Sequence, residues 1–135
     1  MSNANFYFGG QGGSLGYPPK MPADLTIYYG SVINGFVIGE SVFGNTNTES
    51  KIAIENFSGE LTIHTIEAGP NPLFEGAICL TYIKFTHKGA LYTAGQSYSN
   101  STVLDFGDKG ILVTIESLKS GAWVDGINFS LSVSS

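Results

Sequence analysis

The chain carries little charge, and least of it positive. Of 135 residues only six are Lys or Arg and eleven are Asp or Glu, a net charge of −5. Six scattered cations do not make the clustered basic surface that a phosphate backbone or an anionic membrane demands, so neither is an expected partner. There is one cysteine, Cys79, and therefore no internal disulfide. Within Ala77-Ile78-Cys79-Leu80 it reads as a small buried hydrophobe rather than a nucleophile. The two histidines, His64 and His87, lie in strand-like contexts, where each decorates a sheet face, and no cluster has zinc spacing. There is no Gly-x-Ser-x-Gly elbow and no evident pairing of nucleophile and base. No enzyme, metal or cofactor is expected. No apolar run approaches the ~18 residues of a membrane helix. The first ten residues, MSNANFYFGG, show neither the basic nor the apolar region of a secretory signal, so the expectation is a cytoplasmic protein unless it leaves by another route.

What is present is β-forming. Apolar residues make up 42% and glycines number eighteen. The length suits one domain spanning residues 1–135. Helical periodicity is missing, while runs rich in Ile, Val, Thr, Phe and Tyr recur, several alternating at period two. Strands are expected at 25–29, 34–39, 51–57, 60–67, 77–85, 111–116 and 126–133, with glycine turns between them. Residues 14–24, SLGYPPKMPAD, break that rhythm with three prolines and read as a surface loop or an irregular edge.

A faint repeat runs through the pattern. Gly30-Ser31-Val32-Ile33-Asn34-Gly35 and Gly121-Ala122-Trp123-Val124-Asp125-Gly126 both follow Gly-x-x-x-Asn/Asp-Gly between two strands. A third copy at 61–85 has a longer loop and lacks the motif. Three hairpin-centred units suggest three small sheets around one core. A second glycine-rich stretch, Gly9-Gly10-Gln11-Gly12-Gly13, holds four glycines in five residues. No Gly-Lys-Ser/Thr and no helix follow it, so it is not a phosphate loop.

The two loops together, one near each end of the chain, resemble those of the jacalin-related lectins, whose first strand carries a Gly-Gly-x-Gly-Gly loop and whose last strand follows a Gly-x-x-x-Asp loop. The resemblance implies an all-β, β-prism I fold: three four-stranded antiparallel sheets with pseudo-threefold symmetry. It also implies a non-catalytic, calcium-independent lectin that needs no cofactor and associates into dimers or tetramers. The sugar site it implies comprises Gly13, Gly121, Ala122, Trp123 and Asp125. The chemistry suits a sugar. Asp125 can accept two hydroxyl protons through charge-assisted bonds. The N–H groups of Gly13, Ala122 and Trp123 can donate, and Gly121 lets the loop curl so that these groups converge. Because Gly9 and Gly10 lie inside a continuous chain, the resemblance favours the mannose/glucose branch, with mannose-containing glycans as partners. A second site at Gly30 and Asn34 is expected to be weak: Asn34 is neutral, and the facing loop at 44–48 keeps one glycine. The third counterpart, near 94–97, is depleted as well.

Plainer readings stand beside these. Asp125-Gly126 can be a hairpin turn pair, and Trp123 a core or interface aromatic. The whole chain can be a β-prism structural or protein-interaction module, part of a toxin or adhesin assembly, with a degenerate sugar site.

Overall fold

A computed structural model of the chain describes residues 5–48 and 50–131. They form twelve strands: β1 (Asn5–Gly9), β2 (Ser14–Gly16), β3 (Ala23–Tyr29), β4 (Ile33–Ile38), β5 (Ser41–Gly44), β6 (Ser50–Phe57), β7 (Glu60–Pro70), β8 (Ile78–His87), β9 (Ala90–Gly95), β10 (Thr102–Asp105), β11 (Ile111–Ser120) and β12 (Val124–Leu131). There is no helix among the described residues. The seven expected runs are the cores of β3, β4, β6, β7, β8, β11 and β12. The end of the last, residues 132–133, lies outside the described residues. Five short strands have no counterpart in the expectation: β1, β2, β5, β9 and β10. The stretch read as a loop at 14–24 contains β2 and the first residues of β3.

All pairings are antiparallel. One sheet is four-stranded, in the order β5-β4-β3-β6. The other eight strands form one hydrogen-bonded sheet instead of the two separate sheets expected. The cause is the length of β11. Its first half pairs with β7, from Ile111 opposite Ile63 to Thr114 opposite Glu60, and its last residues pair with β2. That ladder joins the group β1-β12-β11-β2 to the group β10-β7-β8-β9. A register shift against β12 between Ile115 and Ser117 falls where β11 changes partner from β7 to β2.

Alternation puts one face of each strand inside. Ile27, Phe36, Ile38, Phe57, Ile63, Phe85, Val113, Ile127 and Phe129 are essentially fully buried and form one core shared by both sheets. Each such side chain contributes about 1.5–3 kcal/mol of burial. Cys79 is buried, as expected. His64 lies between strands, its Nε2 2.7 Å from Thr86 Oγ1 and its Nδ1 3.1 Å from Gly107 O.

Three crossings at strand ends are built alike. Gly9, Gly44 and Gly95 all have positive φ, at 131°, 102° and 85°. A Cβ on each would overlap a carbonyl oxygen of a neighbouring strand: Asp125, Asn34 and Thr81 respectively. The N–H of the following residue donates to that same carbonyl at 2.9 Å, from Gly10, Asn45 and Gln96. Asp125, Asn34 and Thr81 therefore occupy matching positions in the three strand groups.

Candidate functional site

The turn between β11 and β12 is closed by Gly121, whose N–H donates to Trp123 O at 3.0 Å. Ser120 pairs with Val124 and Lys119 with Gly126, which leaves Asp125 as the extra residue of a bulge. A bulge re-aims the side chain it carries. Asp125 and Gly126 lie inside β12, so the turn-pair reading is corrected: the tight turn is at 121–123. Gly126 is glycine for a different reason, since a Cβ there would overlap the Tyr7 ring and hydroxyl.

The Asp125 carboxylate rests against the glycine loop. A Cβ on Gly12 would stand 3.1 Å from Oδ1, and one on Gly13 would overlap Oδ2. Gly13, at φ 78°, thus makes room for the carboxylate. The Trp123 indole donates from Nε1 to Asp125 Oδ1 at 3.1 Å. These groups line a cleft of about 580 Å³ formed by residues 9–13, residues 76–78, and Gly121, Ala122, Trp123 and Asp125. All five residues expected at a sugar site meet here. Among the described residues, no backbone carbonyl accepts from the N–H of Ala122 or Trp123.

Asp125 is only 6% exposed. Burial pushes its pKa up, against the indole hydrogen bond and the charge of Lys119, which pull it down. The same burial, with the Asp125 charge beside it, pushes the Cys79 thiol up to about 12, so the thiol stays protonated at neutral pH. Tyr7 is raised by burial and by Asp125, and its hydroxyl donates to Gly10 O, pinning the start of the glycine loop. The site therefore offers one buried carboxylate with acceptors on two oxygens, backbone donors beside it, and no activated nucleophile. Among the described residues no group of three or more His, Cys, Asp or Glu is placed to hold a metal ion.

The third wall was not visible in the sequence. It is the β7–β8 loop, residues 71–77. Asn71 ties it: its N–H donates to Ala77 O at 2.8 Å and its Oδ1 accepts from Leu73 N at 2.8 Å. Phe74 packs on Trp123, ring centroids 4.8 Å apart and planes 35° apart. Gly10 lets the glycine loop approach this wall, because a Cβ on it would overlap Ile78 O. The only sequence signal was the longer loop of the third repeat, Gly69-Pro70-Asn71-Pro72.

Gly30 and Asn34 lie elsewhere, in the β3–β4 turn. Gly30 N–H donates to Val32 O at 3.0 Å, repeating the Gly121 turn. Asn34 Oδ1 is buried without a hydrogen-bond partner. The facing loop carries Asn45, which accepts from Asn47 N through its Oδ1 and donates through its Nδ2 to Ala122 O. That side chain spans from the second position to the turn of the first. At the third position, Thr81 is fully buried and the Ser97 hydroxyl caps the buried Glu67 carboxylate, 2.8 Å from each oxygen.

No protein-family model matches the chain, and no curated protein matches it in sequence. Solved structures do match. Wild-type Malaysian banana lectin is similar at a TM-score of 0.63 and 19% identity, covering 98% of this chain and 100% of its own. Artocarpin complexed with methyl-α-mannose is similar at 0.61 and 18%, covering 98% of this chain and 99% of its own. The second β-prism domain of RbmC from V. cholerae is similar at 0.60 and 21%, covering 96% of this chain and 99% of its own. Likeness at these identities establishes the fold. The all-β chain shares the architecture of jacalin-related lectins and β-prism domains.

Proposed function

We propose that this chain is a carbohydrate-binding protein that takes mannose- or glucose-type glycans in the cleft between residues 9–13 and 121–125, without calcium and without catalysis. The observation that carries the reading is the Asp125 carboxylate at the floor of that cleft, with glycine backbone against one side and the indole N–H holding one oxygen. An ionised carboxylate accepts from adjacent sugar hydroxyls, while the N–H groups of Gly13, Ala122 and Trp123 donate to ring and hydroxyl oxygens. Two of the similar structures add support: one is banana lectin, and the other, artocarpin, was solved with methyl-α-mannose.

On the same reading, the eight-stranded sheet is two of three four-stranded units fused at one edge, and residues 1–135 make one lectin domain. Dimers or tetramers would multiply weak single-site affinity. The position at Gly30 and Asn34 is a weak or dead site, because a neutral amide replaces the carboxylate there.

The test is calorimetric titration with methyl α-mannoside in EDTA, for the wild type and for Asp125→Asn. Saturable binding by the wild type and at least tenfold weaker binding by the variant, at unchanged melting temperature, is the expected result. Equal behaviour of the two proteins, or binding only after calcium is restored, contradicts the proposal. The second reading, an interaction module on the same fold, draws on Leu73 and Phe74, which stand 71% and 55% exposed at the rim. It would leave partner binding unmoved by Asp125→Asn.

A further inference from the structure

We infer that the Trp123 side chain is a positioning residue for Asp125, and that Phe74 is its buttress. Together the two rings aim the carboxylate. The inference rests on the carbohydrate reading for its binding consequence, though not for its effect on the carboxylate itself.

The geometry runs through three contacts. An ionised carboxylate has about four lone-pair positions. The indole N–H takes one of them, on Oδ1 at 3.1 Å. An indole is donor only, so it can hold the carboxylate but cannot compete for a sugar donor. On the other side, the bare glycine backbone at Gly13 leaves room for Oδ2. The remaining lone pairs are what a hydroxyl pair can use.

Something must hold the indole in turn, because Trp123 sits in a turn and not in a ladder. Phe74 does so from a loop distant in sequence, with ring centroids 4.8 Å apart. Asn71 fixes that loop through two hydrogen bonds of 2.8 Å. The result is a relay from the β7–β8 loop, through two rings, to one carboxylate oxygen. Three other groups bear on Asp125: Lys119 on β11, whose charge favours the ionised form, and Tyr7 on β1 and Cys79 on β8, which its charge raises. None of these three donates a hydrogen bond to the carboxylate; the Tyr7 hydroxyl donates to Gly10 O. Among the described side chains the indole alone does so, and it opposes the effect of burial.

The test uses Trp123→Phe, which keeps a ring against Phe74 but deletes the donor, and Phe74→Leu, which keeps apolar volume but deletes the stack. Two readouts are taken: titration of the Asp125 carboxyl carbon by NMR, and methyl α-mannoside affinity against pH. Trp123→Phe should raise the Asp125 midpoint, lower affinity at neutral pH about tenfold, as expected for a lost charge-assisted bond, and move the acid limb of binding up with the carboxyl midpoint. Phe74→Leu should shift both readouts the same way by less. If Trp123→Phe leaves the Asp125 midpoint in place, the inference is overturned. It is also overturned if the two variants lose affinity with no change in that midpoint, since the rings would then be a stacking surface for the sugar. If the wild type binds no mannoside, the carbohydrate reading fails, and the NMR midpoint still decides the inference. If Trp123→Phe fails to fold, the midpoint in Phe74→Leu decides it alone.

Discussion

At the scale of single residues, the chemistry turns on Asp125 and the glycines around it. The pKa of Asp125 is raised above the ordinary 3.8 chiefly by burial. An acid raised on folding prefers the protonated form in the fold, so this group costs no stability as pH falls and stabilises the fold slightly once it is protonated. On the proposed function, sugar binding has the opposite sign, because hydroxyls donate to the ionised form. Mannoside affinity should therefore fall on acidification while the pH is still above the ordinary aspartate range, with no matching loss in melting temperature. A pH series of binding and melting checks both halves; affinity that holds until the fold itself fails would contradict it. Gly13→Ala is a second probe. Its Cβ would overlap Asp125 Oδ2 at a φ of 78° that alanine resists. The substitution should weaken mannoside binding more than tenfold while costing the fold about 1–3 kcal/mol, read by calorimetry and urea denaturation.

At the scale of elements, legibility in the sequence followed burial. Long inner strands such as β7 and β8 carry apolar residues that both the pattern and the core require, and they were readable. The unexpected strands β1, β2, β5, β9 and β10 each pair with one neighbour only, so they are edges. Sequences such as Ser14-Leu15-Gly16 or Thr102-Val103-Leu104-Asp105 have too few buried positions to impose a period. The convergence of Gly13, Gly121, Ala122, Trp123 and Asp125 on one cleft was readable for a related reason. Glycines and a carboxylate at fixed spacing are local signals, and they lie on two turns. Phe74 was not readable, because only the β7–β8 pairing brings its loop to Trp123. The three matching crossings give a prediction for the elements. Gly44 and Gly95 have positive φ, and a Cβ on either would overlap a backbone carbonyl, whereas Gly107 has φ 79° with nothing within 4 Å. Gly107→Ala should cost about 1 kcal/mol, for backbone conformation alone. Gly44→Ala and Gly95→Ala should each cost more than twice that, since backbone must move. Equal midpoints in urea for the three variants would show that the crossings are not held as described.

At the scale of the whole molecule, three similar strand groups enclose one core but do not carry three similar sites. Matching positions hold Asp125, Asn34 and Thr81, and only the first is a carboxylate at a glycine-lined cleft. The second is faced by Asn45, whose side chain is engaged with Ala122. The third is fully buried. The backbone crossing is thus repeated in all three groups, while a carboxylate stands at only one of them. The measurement that tests this most directly is the stoichiometry of methyl α-mannoside binding by calorimetry in EDTA, with galactose as the control. The account predicts one mannoside per chain, weaker or no galactose binding, and no dependence on calcium. Two or three equivalent mannosides per chain would contradict the single carboxylate site, and no saturable binding of either sugar would contradict the monosaccharide cleft itself.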